Sequence, residues 1–90
     1  MSTQRLILNN GTVLEDSGCG YSAGQLWCYI PHISMMEAFS LFSNSQNTSK
    51  IIFQLGESFP EDIVYEGFSH LGSMMEQENQ IDIMLRREAG

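Results

Sequence analysis

Ninety residues make one domain with no room for a second core, and a hydrophobic share of 42% excludes a disordered chain. Eleven carboxylates against four basic side chains give a formal charge of −7. That balance excludes nucleic acid and anionic membrane surfaces as direct partners, because binding phosphate needs cationic side chains that release counterions.

Position sharpens the charge argument. The basic residues are Arg5, Lys50, Arg86 and Arg87, so the stretch from Ile51 to Leu85 holds seven carboxylates and no Lys or Arg. Such a stretch cannot neutralise itself locally and projects a negative potential, for which the fitting counterpart is a basic surface. Met1 to Arg5 leads into a short apolar run, and no segment approaches the ~20 apolar residues of a membrane helix. The expected compartment is the cytoplasm, where Cys19 and Cys28 stay reduced.

In chain order, Leu6-Ile7-Leu8 and Thr12-Val13-Leu14 read as a hairpin about Asn9-Asn10-Gly11, since Asn-Gly suits the positive φ angles of a type I′ turn. Ser17 to Gly24, rich in glycine and serine, reads as a loop. Leu26 to Ile30 is apolar at every position, which predicts a central strand covered on both faces and ended by Pro31. Ser34-Met35-Met36-Glu37 fits a capping box. Met35, Ala38, Phe39 and Phe42 then recur on one helical face, and polar Asn44 to Ser49 closes the helix.

Ile51 to Leu55 alternates as a strand, and Gly56 to Asp62 reads as a loop. Ile63 to Leu71 is β-rich but puts Glu66 on the side of Val64 and Phe68, a fault that a bulge at Gly67 would repair. Met74-Met75 and Ile81 to Leu85 flank a hairpin connection at Gln77 to Gln80, with Ile81, Ile83 and Leu85 inward and Asp82 and Met84 outward. The sum is an α+β fold: two or three strands, one helix, then three strands. A mostly antiparallel sheet of about five strands would carry the helix on it.

Motifs for chemistry are weak. Gly18-Cys19-Gly20-Tyr21-Ser22-Ala23 matches a loose nucleotide fingerprint but lacks the strand-to-helix setting that holds a pyrophosphate. Cys19, Cys28, His32 and His70 show no paired spacing for zinc, and no calcium loop is present. No metal or cofactor is expected. A glycine-loop Cys19 would be exposed, and paired with a histidine it would suit a thiol-dependent enzyme. That is the weakest of three functional readings.

The first reading takes Glu57, Glu61, Asp62, Glu66, Glu76, Glu78 and Asp82 as a docking surface for a basic, nucleic-acid-handling protein. Carboxylates spaced along strands can imitate the phosphates of a duplex and steer association. The chain is similar in kind to phage-encoded anti-CRISPR and anti-restriction inhibitors, which are small, acidic and free of enzymatic motifs; no motif aligns, and no family is claimed. The plainer reading of the same residues is a solvated face. The second functional reading is a structural or assembly subunit, as in a phage particle. The doublets Met35-Met36 and Met74-Met75 cannot both point into one core, so outward methionines and sheet edges would serve self-association.

Overall fold

The computed structural model describes residues 4–56 and 61–87. The architecture is α+β, but eight strands form two antiparallel four-stranded sheets in place of one sheet of about five. The first sheet has the order β2-β1-β5-β6 and contains β1 (Arg5–Ile7), β2 (Val13–Glu15), β5 (Lys50–Gln54) and β6 (Ile63–Glu66). The second has the order β3-β4-β8-β7 and contains β3 (Gly18–Ser22), β4 (Gln25–Pro31), β7 (His70–Gln77) and β8 (Gln80–Arg86). Two helices, α1 (Met35–Phe42) and α2 (Ser45–Thr48), link the halves and pack against β7.

Alternation places the core. Leu6, Leu14, Ile51 and Phe53 of the first sheet share one apolar cluster with Leu26, Cys28, Ile30, Ile81, Ile83 and Leu85 of the second. The expected inward face of β8 is the observed one, and Asp82 and Met84 are half-buried on the other side. The first hairpin also forms, through a wider connection. Only Gly11 takes a positive φ, while Asn10 accepts from the Thr12 N–H through its side chain at 3.0 Å. Leu8 is buried in the core and also closes the turn, its carbonyl accepting from the Gly11 N–H and its N–H donating to the Thr12 carbonyl, both at 2.9 Å.

The segment read as a loop contains strand β3. Its pairing with β4 runs from Gly18↔Tyr29 to Ser22↔Gln25, leaving Ala23 and Gly24 as a two-residue turn with φ of 53° and 78°. Positive φ at both positions is the signature of a type I′ hairpin. Glycine composition disguised a strand here. β4 is central in its sheet but covered on one face only, since Trp27 and Tyr29 are 43% and 40% exposed.

The serine half of the expected capping box is present, with the glutamate meeting the cap's hydroxyl in place of its N–H: Ser34 Oγ accepts from the Glu37 N–H at 3.1 Å and donates to Glu37 Oε1 at 3.4 Å. The buried face of α1 is rotated from the expected one. Ala38 and Phe42 are buried with Leu41 half-buried, while Met35 and Phe39 are exposed. The polar segment after it folds into the single turn of α2, capped by Asn44 and pinned by buried Thr48.

The bulge expected at Gly67 is a change of sheet. β6 ends at Glu66, Gly67 takes φ 87°, and the chain enters the other sheet at His70. Val64 and Glu66 lie together on the solvent side of β6, so their alternation needs no repair. Phe68 fills the crossing, buried edge-on to Tyr21 and Tyr65 at 5.6 and 6.2 Å, with the Arg87 guanidinium 4.9 Å over its ring. The bulge lies further on, between Leu71 and Ser73.

Candidate functional site

The crossing at Gly67 divides the acidic stretch. Glu57 lies outside the described residues. Glu61, Asp62 and Glu66 belong to the β6 edge of the first sheet, all exposed. There Asp62 accepts from Gln54 Nε2 at 3.4 Å, and Glu66 stands opposite Lys50. Glu76, Glu78 and Asp82 belong to the β7–β8 hairpin of the second sheet. Asp82 lies on its outer face between Tyr29 and Met75, accepting from Gln80 Nε2 at 2.7 Å. The described carboxylates of the stretch therefore form two groups on two sheets, and the run of sequence is not one surface.

A different grouping appears at one end of the molecule. Antiparallel pairing brings the end of β2, the β4–α1 link and the β7–β8 turn together there. A cleft of about 400 Å³ has His32, Ser34, Glu76 and Glu78 on its walls. An adjoining cleft of about 240 Å³ has Glu15, Asp16, His32 and Glu37. Neither cleft is lined by Lys or Arg. His32 and Asp16 both hold left-handed backbone, with φ of 60° and 56°, so both links turn sharply. Ser17 behind them is buried, its hydroxyl donating to the Glu15 carbonyl at 3.0 Å.

Among the described residues the one ion pair is Arg5 Nη1 to Glu15 Oε1 at 3.7 Å, with Arg5 Nε also donating to Gln54 Oε1 at 2.6 Å. Asp16, Glu37, Glu76 and Glu78 have no such cation. Glu15, Asp16 and Glu37 were not among the residues expected to bind. The available signals were the adjacent carboxylates Glu15-Asp16 before the glycine-rich segment and Glu37 beside the helix cap. The remaining basic residues lie elsewhere: Lys50 opposite Glu66 in the first sheet, Arg86 opposite His70 at the far end of the second, and Arg87 beside Phe68.

The thiols occupy a different environment from the loop expected for Cys19. Cys19 on β3 is buried directly opposite Cys28 on β4. Its hydrogen bond with Cys19 and then burial push the Cys28 thiol well above the ordinary thiol range. A thiol held protonated inside a core is a poor nucleophile. Among the described residues no three His, Cys, Asp or Glu converge as a metal site, and no helix is long and apolar enough to cross a membrane.

Both methionine doublets do present an outward member, Met36 on α1 and Met75 on β7. Between those elements runs an apolar groove of about 560 Å³ with Met35, Met36, Phe39, Leu71 and Met74 along it. Comparison of the chain with protein-family models, with curated proteins and with solved structures finds no match.

Proposed function

We propose that this protein is a non-enzymatic binding module, an inhibitor or adaptor that docks on a basic, nucleic-acid-handling protein through the carboxylates around the His32 link. One observation carries the reading: Asp16, Glu37, Glu76 and Glu78 come from three separate chain segments to two adjoining clefts without a lysine or arginine on their walls. Carboxylates so placed raise the local concentration of a cationic partner and orient it before contact. The chain's formal charge of −7 adds a long-range attraction of the same sign. In this reading the β6 carboxylates Glu61, Asp62 and Glu66 act as a solvated face, partly neutralised by Lys50 opposite Glu66.

Two variants that remove equal charge separate docking from general acidity. One carries Asp16→Asn, Glu37→Gln and Glu76→Gln; glutamine keeps an acceptor for the Ser34 hydroxyl and asparagine tolerates left-handed backbone. The other carries Glu61→Gln, Asp62→Asn and Glu66→Gln. The assay is affinity capture from a nuclease-treated lysate of the source cells, eluted by rising salt. The wild type and the β6 variant should recover the same salt-eluted basic protein, and the first variant should lose it. Equal recovery by both variants, or equal loss, would refute the assignment.

A further inference from the structure

Cys19 and Cys28 are reactive side chains that the docking reading leaves unused. They stand directly opposite each other on β3 and β4, and the two-residue turn at Ala23 and Gly24 decides what kind of pair they make. Such a turn is closed by a hydrogen-bonded pair, here Ser22 and Gln25, and bonded and non-bonded pairs alternate from there along an antiparallel ladder. Counting back from the turn, Tyr21↔Leu26 is non-bonded, Gly20↔Trp27 bonded and Cys19↔Cys28 non-bonded. Residues at a non-bonded pair have Cα atoms about 4.5 Å apart, with their side chains closer than at a bonded pair. That separation falls within the roughly 4.4–6.8 Å that a disulfide spans.

Burial supplies the orientation. Partners across a ladder point to the same face, and both cysteines belong to the common core. The thiols reach each other there, since Cys28 hydrogen-bonds with Cys19. They differ in how readily they can be exposed. β4 is held between β3 and β8, whereas β3 is an edge strand with β4 as its one sheet neighbour. Gly20 beside Cys19 also leaves the outer side of the edge strand bare, with nothing within 4 Å of where a Cβ would lie. Local opening is easiest at such weakly covered elements, so Cys19 is the thiol that opening delivers to solvent.

We propose that Cys19 and Cys28 form a redox-convertible pair, which a small-molecule disulfide oxidises to a crosslink between β3 and β4. In the opened edge strand Cys19 loses its proton and its Sγ attacks one sulfur of the reagent. The reagent's S–S bond breaks, and the thiolate released takes up that proton. As β3 closes again, Cys28 gives up its proton and its Sγ attacks the Cys19 sulfur of the mixed disulfide. The second reagent thiolate leaves and takes up the Cys28 proton. The protein thus exchanges two S–H bonds for one S–S bond, and its two electrons reduce the reagent to two thiols. The product closes residues 19–28 into a ring around the hairpin turn and ties the edge strand to the centre of its sheet. This chemistry stands independently of the docking reading.

The test equilibrates the full chain, folded and in strong urea, against mixtures of reduced and oxidised glutathione, with intact mass and thiol count as readouts. The folded chain should become a monomeric species lighter by two hydrogens and without free thiols. A crosslink that stabilises a fold is favoured by folding in the same measure. The oxidation equilibrium constant of the folded chain should therefore exceed that of the unfolded chain about tenfold to a hundredfold. The urea midpoint should rise on oxidation by about 1–2 M. Cys19→Ser and Cys28→Ser should each show neither the two-hydrogen loss nor the rise. A folded chain that keeps both thiols where the unfolded chain is oxidised overturns the proposal. So does one that only takes up glutathione or links to another chain, or a crosslinked chain no more stable than the reduced one.

Discussion

Phe39 and Phe42 share one helical face by periodicity, yet the fold treats them oppositely: Phe42 is fully buried in the common core and Phe39 is exposed. Replacing each by alanine turns that difference into a measurement. Phe42→Ala removes a fully packed ring and leaves a cavity beneath α1, a change that costs about 3–5 kcal/mol. Phe39→Ala gives up partial burial but gains helix propensity, so its net effect should stay within about 1 kcal/mol. A domain of this size has about 5–10 kcal/mol in total, so Phe42→Ala should be barely folded. Urea titration is the assay. With a slope of about 1–1.5 kcal/mol per molar, the Phe42→Ala midpoint should fall by about 2–5 M and the Phe39→Ala midpoint by less than about 1 M. Equal losses at the two positions would refute the helix orientation.

Gly18→Ala should destabilise by about 1–3 kcal/mol in the same titration, because its Cβ would come within 2.8 Å of the Tyr29 ring and of Gln4 Nε2. Gly20→Ala, two residues along the same strand, meets nothing within 4 Å and should be neutral or slightly stabilising. Ser34→Ala removes the acceptor for the Glu37 N–H and should cost about 1 kcal/mol. The Cys28 thiol, raised by Cys19 and by burial, gives a pH dependence of definite sign. Above the ordinary thiol pKa near 8.5 the unfolded chain releases a proton that the folded chain keeps. Stability is therefore full below that pH and falls as pH rises past it, by up to about 1.4 kcal/mol per unit. Urea midpoints in neutral and alkaline buffer should show this decline in the wild type and less of it in Cys28→Ala.

Local chemistry was the legible part of this chain. Ser34 with Glu37, and the alternation of Ile81, Ile83 and Leu85, each announce an element through residues a few positions apart. β3 escaped because Gly18 and Gly20 read as loop, whereas Gly18 is small to admit the Tyr29 ring from the next strand. Trp27 and Tyr29 looked buried because periodicity cannot tell a covered face from a bare aromatic one. The division into two sheets rests on pairings such as Arg5↔Gln54 and Gln25↔Arg86, which no local pattern reports. The same limit governed the carboxylates. A charge count along the chain grouped Glu61 with Glu76, whereas the fold sets them on different sheets and brings Asp16 and Glu37 beside Glu76 and Glu78.

The two strand orders, β2-β1-β5-β6 and β3-β4-β8-β7, are unchanged when each of the first four strands is exchanged with the strand four places later. The molecule is thus a pair of interlocked halves related by a pseudo-twofold permutation. Each half is two successive hairpins joined by a left-handed residue, Asp16 in one and Gly67 in the other. Each half gives one hairpin to each sheet, so neither encloses a core by itself. The central pairs β1–β5 and β4–β8 each join one half to the other, so both layers are complete only when the two halves are together.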